Sequence, residues 1–197
     1  PLPNLEFKFV CANSLIDLDN ATSVLGEDQD LDIKLQNIRD AYFNTENLNR
    51  KKKLRLEYEK LVNKQESLFG ESLRSKQLKT YKPFDNENSA AFFKPEFMFG
   101  VKNFDMVIGN PPYVNVEKIN KNIKDNIKDF KTAFQKYDLY VLFYEKGINF
   151  LKEAGILCFI TSNKFLSQGY GKKLRYELLK HRIINIINFN FDIFENA

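Results

Sequence analysis

Between residues 104 and 187, short apolar runs alternate with amphipathic stretches, and that alternation leaves few folds open. Residues 104–108 (FDMVI) and 156–160 (ILCFI) are apolar runs of strand length. Residues 183–187 (IINII) read as a third strand. Between the first two, residues 138–153 carry Tyr140, Phe143, Tyr144, Gly147 and Leu151 on one side of a helix, closed by Ala154 and Gly155. Residues 170–180 form a further helix with lysines outward. Strand, helix, strand, helix, strand predicts an α/β layer built on a mostly parallel sheet. Gly109, Pro111 and Pro112 end the first strand, because proline cannot continue a central strand.

The first half reads differently. Residues 5–11 alternate Phe7, Phe9 and Cys11 against Glu6 and Lys8, a strand pattern, and Asn13-Ser14-Leu15 turns the chain. Residues 16–27 read as loop. Leu31, Leu35, Ile38 and Tyr42 make one apolar stripe over residues 28–44. Leu54, Tyr58, Leu61 and Leu68 make another over residues 46–69. Two such helices with a short link read as a hairpin, about residues 28–69. Residues 70–79 can continue as helix, and residues 83–95 return to the core with Phe84, Phe92 and Phe93. The expected division is a catalytic layer from residues 1–15 and 96–197, interrupted by a helical insertion at 16–95.

The chain has 197 residues and a formal charge of +4, which alone says little about partners. Its distribution says more. Residues 49–82 hold 11 Lys and Arg against 4 Glu, and residues 118–136 hold 6 Lys against 2 Asp. Such regions are either solvated faces or phosphate contacts. Cys11 and Cys158 stand in apolar runs and read as buried thiols of a reducing compartment. With the single His181 they are too few for a metal site, so no metal is expected. No signal-peptide pattern and no membrane-length apolar run is present, so a cytoplasmic chain without membrane attachment is expected.

Asn110-Pro111-Pro112-Tyr113 follows the strand at 104–108, where open α/β sheets bind ligands. The prolines stiffen the rim and keep their carbonyls as acceptors. Asn110 adds an amide oxygen, and Tyr113 adds a flat ring. Two oxygens can receive both hydrogens of an exocyclic amine and aim its lone pair at an electrophile. This chemistry suits methylation of a planar amine by a sulfonium donor, with placement supplying the rate. The plainer reading is a tight turn with a capping Asn.

In combination, these segments resemble the Eco57I-like restriction-modification methylases, a family of adenine-specific DNA N6-methyltransferases. Asn110 to Tyr113 match the family's catalytic tetrad. Asp138-Leu139-Tyr140-Val141-Leu142-Phe143, with Glu145, matches the helix after it. Residues 155–165 match the next strand and its loop. Residues 193–197, with Phe194, resemble the later motif whose aromatic residue packs on the target base. Residues 10–15 resemble the segment beside the cofactor's adenine. The resemblance implies a partial Rossmann-like class I methyltransferase sheet. It implies that Asn110 and Pro111 hold the adenine amine, with Pro112 in the same rim, and that Tyr113 and Phe194 sandwich the ring. Asn13, Leu15, Asp138 and Phe159 would line the S-adenosylmethionine site. Tyr140 would shape the same cavity or stand as plain core. Arg50, Lys51, Lys52, Lys53, Lys118, Lys121 and Lys124 would touch phosphates of double-stranded DNA.

The departures set further expectations. The family's glycine-rich cofactor motif has no counterpart here, and neither does a target-recognition domain. A segment of a larger enzyme is therefore expected, inactive without its N-terminal cofactor half and its C-terminal recognition part. Alternatives with the same tetrad are methyltransferases of protein glutamine or of RNA guanine amines. A non-catalytic DNA-binding or scaffold fragment is the third.

Overall fold

The computed structural model describes residues 7–19, 27–69, 72–84, 87–189 and 191. The chain divides into two compact units, Pro1–Asn103 and Phe104–Ala197.

The first unit is helical. Helix α1 (Glu27–Phe43) and helix α2 (Leu48–Phe69) pack on one another across residues 44–47. Asn47 starts α2, its side-chain oxygen accepting the Arg50 N–H at 3.0 Å. Leu35, Ile38 and Tyr42 of α1 are buried with Tyr58 of α2, and Leu31, Leu54 and Leu61 pack around them. The Leu68 side chain lies outside the described residues. Residues 70–79 do not simply extend α2, because a separate helix α3 (Leu73–Thr80) begins at Ser72, whose hydroxyl accepts the Ser75 N–H. A short helix α4 (Pro95–Phe99) ends at Gly100, which adopts φ +73°. The buried Arg39 guanidinium holds this end by donating to the Glu96 and Phe97 carbonyls at 3.1 and 2.9 Å. The Glu96 carbonyl also accepts the Gly100 N–H at 3.2 Å, so Arg39 reinforces the helix terminus.

The strand expected at residues 5–11 is absent over its described part. Phe7 takes a left-handed backbone with φ 63° and turns its ring into a cluster with Tyr42, Phe43, Tyr58 and Phe84. Burying that ring wins over continuing the pleat. Among the described residues one bridge forms nearby, Ala12 running parallel to Ala90. Residues 7–19 thus fold with the helices of the first unit. Cys11 is exposed, not buried.

The second unit holds two parallel strands, β1 (Phe104–Gly109) and β2 (Leu151–Phe159). A parallel pair needs a crossover, and this one contains helices α5 (Lys121–Ile127) and α6 (Tyr140–Asn149). Helix α6 packs on β2 through Gly147, where an added Cβ would sit 2.8 Å from Leu157 and 3.0 Å from Phe159. The helix stops four residues earlier than its apolar pattern predicts, and β2 starts earlier. The reason is a bulge. Phe104 pairs with Leu151 and Met106 with Ile156, so Asp105 stands opposite four residues, 152–155. Ala154 adopts φ 60° within the bulge, and the Lys152 ammonium closes it on both Asp105 oxygens at 2.9 Å.

Alternation sorts the two faces. Val107, Gly109, Leu157 and Phe159 turn one way, and Met106, Ile108, Ile156 and Cys158 turn the other and are exposed. Cys158 is therefore not a buried thiol, because no element among the described residues covers its face. The third strand expected at residues 183–187 does not form either. Those residues are irregular, and Ile183, Ile184, Ile186 and Ile187 are exposed. An apolar run becomes a strand only where a neighbour accepts its ladder, and among the described residues none does. Helix α7 (Lys172–Leu178) is shorter than the expected 170–180, because Gly169–Gly171 forms its own tight turn. The second unit is thus a mixed helix and strand body on a two-stranded parallel sheet.

Candidate active site

The site is built at the carboxyl end of β1. The Gly109 carbonyl accepts the Ile160 N–H at 3.1 Å, so the tetrad leaves the sheet beside the end of β2. A Cβ at Gly109 would sit 3.2 Å from the Phe159 ring, which is why this last strand position stays small. Asn110 is exposed, Pro111 is buried, and Pro112 is exposed. Tyr113 keeps 40% of its surface open to solvent. Its hydroxyl donates to Asn110 Oδ1 at 2.8 Å and leans on the Ile160 carbonyl at 3.2 Å. The amide oxygen is thus oriented by the ring three residues on, and its second lone pair remains for another donor.

The other end of the loop is tied as firmly. The Leu139 N–H donates to the Val114 carbonyl at 2.8 Å, and the Val116 N–H donates to the Tyr137 carbonyl at 2.9 Å. Asn115 donates from Nδ2 to Asp138 Oδ1 at 3.1 Å and caps the turn Val116–Lys118 by accepting the Glu117 N–H. Behind the loop stands Tyr140, fully buried, its ring edge-on to Tyr113 with centroids 6.3 Å apart. The Tyr140 and Tyr170 hydroxyls are 3.0 Å apart, and Tyr170 donates to Asp138 Oδ2 at 3.3 Å. Tyr144, one turn along α6, packs on Phe159 and Phe165 and bonds Thr161 Oγ1 at 3.0 Å.

Burial raises the ionisation of Tyr113, Tyr144 and Tyr170 above the ordinary tyrosine range. It raises Tyr140 further, helped by the Tyr170 hydroxyl and the Asp138 charge. These phenols stay neutral near pH 7 and offer hydrogen bonds and ring faces, not bases. The site can hold and orient a flat polar group without removing a proton from it.

The residues singled out from the sequence fall into three places. Asn110, Pro111, Pro112, Tyr113, Asp138 and Phe159 all lie in the second unit. Phe159 packs inward against Gly109, Tyr144 and Gly147 as a core residue. Each Asp138 oxygen already holds a donor from the protein. Asn13 and Leu15 belong to the first unit, where Asn13 Oδ1 accepts the Leu15 N–H at 3.2 Å and Leu15 is buried. Phe194 lies outside the described residues. Arg50, Lys52 and Lys53 project from the first turns of α2, while Lys51 lays its ammonium over the Tyr42 ring at 5.2 Å. Lys118, Lys121 and Lys124 share the second unit with the tetrad, Lys124 donating to the Glu117 carbonyl at 3.2 Å.

Three residues escaped sequence reasoning: Asn115, Thr132 and Tyr170. Glu145 Oε2 accepts the Thr132 N–H and hydroxyl, each at 2.8 Å, and Oε1 accepts the Lys131 N–H at 3.2 Å, pinning the Lys-rich loop to α6. The signal for Tyr170 was its place between Gly169 and Gly171, an aromatic ring in a turn where no helix face requires one.

The sequence model of the Eco57I restriction-modification methylases matches residues 8–194. The chain is similar to the type II restriction enzyme and methyltransferase RM.Eco57I of Escherichia coli, 30% identical over 133 residues, covering 64% of this chain and 12% of that protein. It is 45% identical over 73 residues to the type II methyltransferase M.BstVI of Geobacillus stearothermophilus, covering 36% of this chain and 13% of that protein. It is 40% identical over 73 residues to the type II methyltransferase M.XhoI of Xanthomonas vasicola, with the same coverage of 36% and 13%. The matched regions are thus a small part of each relative's length.

Proposed function

The chain belongs to the Eco57I restriction-modification methylase family, and on that premise we propose that it carries the base-binding part of a DNA adenine N6-methyltransferase of a restriction-modification system. The adenine leaves the duplex to reach the site, since its amine is otherwise buried beside its pairing partner. The free lone pair of Asn110 Oδ1 and the Pro111 carbonyl accept the two amine hydrogens. Pro112 keeps the rim stiff, and the open face of Tyr113 takes the purine, with Phe194 on its other side. Stacking of this kind contributes about 1–3 kcal/mol per base. No general base is required, because the methylated ammonium is itself acidic.

S-adenosylmethionine would supply the methyl group as an electrophilic sulfonium. The residues of this chain fit its acceptor side better than its cofactor side. Asp138 and Phe159 are engaged within the second unit, and the Asn13 oxygen serves its own turn. Asp138 and Phe159 are the second unit's contribution to cofactor binding, and Asn13 and Leu15 are the first unit's. The basic positions Arg50, Lys51, Lys52, Lys53, Lys118, Lys121 and Lys124 neutralise DNA phosphates without choosing a sequence.

The single observation supporting this reading is the pairing of Asn110 with Tyr113 at the open end of β1, backed by a buried tyrosine. The test is transfer of labelled methyl from S-adenosylmethionine to unmethylated plasmid DNA by the full-length enzyme. Digestion to nucleosides should return the label as N6-methyladenine, and Asn110→Ala should abolish it. Label in protein, RNA or another base, or undiminished transfer by the variant, would overturn the assignment.

A further inference from the structure

We propose that Tyr170 is a positioning residue for this transfer, fixing the Tyr140 ring on which Tyr113 rests; the inference builds on the reading above. The direction of the hydrogen bonds is decided by counting protons. Tyr170 has one O–H, and it goes to the Asp138 carboxylate. In the 3.0 Å contact between the phenols, Tyr140 must therefore donate and Tyr170 accept. The chain runs from Tyr140 to Tyr170 to Asp138, and Asp138 in turn holds Asn115 at the far end of the tetrad loop. One carboxylate thus secures both the ring behind Tyr113 and the exit of the loop that carries it.

Tyr170 can serve this purpose because its own backbone is held rigid. It sits in the turn Gly169–Gly171, packed so closely on the turn Asn163–Leu166 that Gly171 leaves no room for a side chain. Arg175 ties the two turns by donating to the Phe165 and Gln168 carbonyls at 2.6 and 3.0 Å. Phe165 lays its ring against Tyr140 and Tyr144 from the same cassette. Tyr140 is fully buried, so removing the Tyr170 oxygen takes away the acceptor its hydroxyl uses. The buried phenol would then move to find another acceptor, and the Tyr113 ring would lose its fixed support.

The test is pre-steady-state burst methylation, with DNA in excess, by the full-length enzyme carrying Tyr170→Phe, which keeps the ring and removes the hydroxyl. Burst amplitude counts competent sites, and the rate constant reports their geometry. We expect the rate constant to fall about tenfold, with plasmid affinity within about twofold and amplitude preserved. Tyr176→Phe, an exposed ring on the neighbouring helix, should change neither quantity. A Tyr170→Phe rate constant within twofold of the parent, or a loss confined to amplitude, would overturn the proposal and leave the tetrad reading standing. Absence of methyl transfer to DNA by the parent enzyme itself would overturn both.

Discussion

Gly171→Ala probes the cassette behind the site more sharply than any other single substitution. The backbone at Gly171 has φ −72°, which alanine adopts freely, so the effect is purely steric. A Cβ there would lie 2.2 Å from the Phe165 carbonyl oxygen and 2.7 and 2.8 Å from the Phe165 Cα and carbonyl carbon. Ordinary contact begins near 3.4 Å, so two backbone segments must part by about 1.2 Å. The Phe165 carbonyl cannot simply swing away, because it is held by Arg175 at 2.6 Å. Over-packing against side chains typically costs about 1–3 kcal/mol. Against fixed backbone the upper end applies, about 3 kcal/mol. For a unit of this size that is a fall of about 12 °C or more in melting temperature. Thermal unfolding followed by circular dichroism measures it. Gly169→Ala is the control in the same turn: its Cβ would meet only the end of the Gln135 side chain at 3.1 Å, which can move. If the two variants melt within about 3 °C of each other, the steric argument is wrong.

Glu145→Gln should destabilise the chain by about 2 kcal/mol, read as a lowered urea midpoint, because one of the two oxygens that face three donors becomes a donor itself. An unchanged midpoint would mean the loop at residues 131–132 does not need that carboxyl. Raising the pH should also loosen the fold. Tyr58, Tyr81, Tyr140 and Tyr144 all have ionisations raised above 10.0, chiefly by burial. Above that pH the unfolded chain releases phenolic protons that the folded chain retains. Stability is then full below pH 10.0 and declines as pH rises towards the raised values. A melting temperature that stays flat from about pH 9 to pH 11 would contradict this.

What the sequence made legible was whatever depends on near neighbours along the chain. The two helical stripes around Leu35 and Tyr58, the strand before Gly109 and the prolines that end it are local patterns, and each stands where its spacing predicts. For Tyr140 the sequence left cavity wall and plain core both open, and the side chain is fully buried. What escaped depends on partners far away in sequence. Ile183–Ile187 has the composition of a strand but no ladder to join among the described residues. Cys158 lies in an apolar run, yet its side of the sheet is uncovered. Phe7 alternates like a strand residue, but an aromatic cluster drawn from residues 42–84 turns it inward. Tyr170 was missed because its partner Tyr140 lies thirty positions earlier, and the flanking glycines alone do not name that partner.

The blister at residues 152–155 works as a spacer that the downstream pairing does not count. Zipping starts afresh where Met106 meets Ile156, so Gly109 finds Phe159 independently of how α6 ended. One residue added inside the blister would only enlarge it. The same residue added at Leu157 would swap every subsequent side chain between the helix side and the bare side, pulling Phe159 from beneath Tyr144. Length variation is thereby steered to a place where the Asn110–Tyr113 rim never registers it.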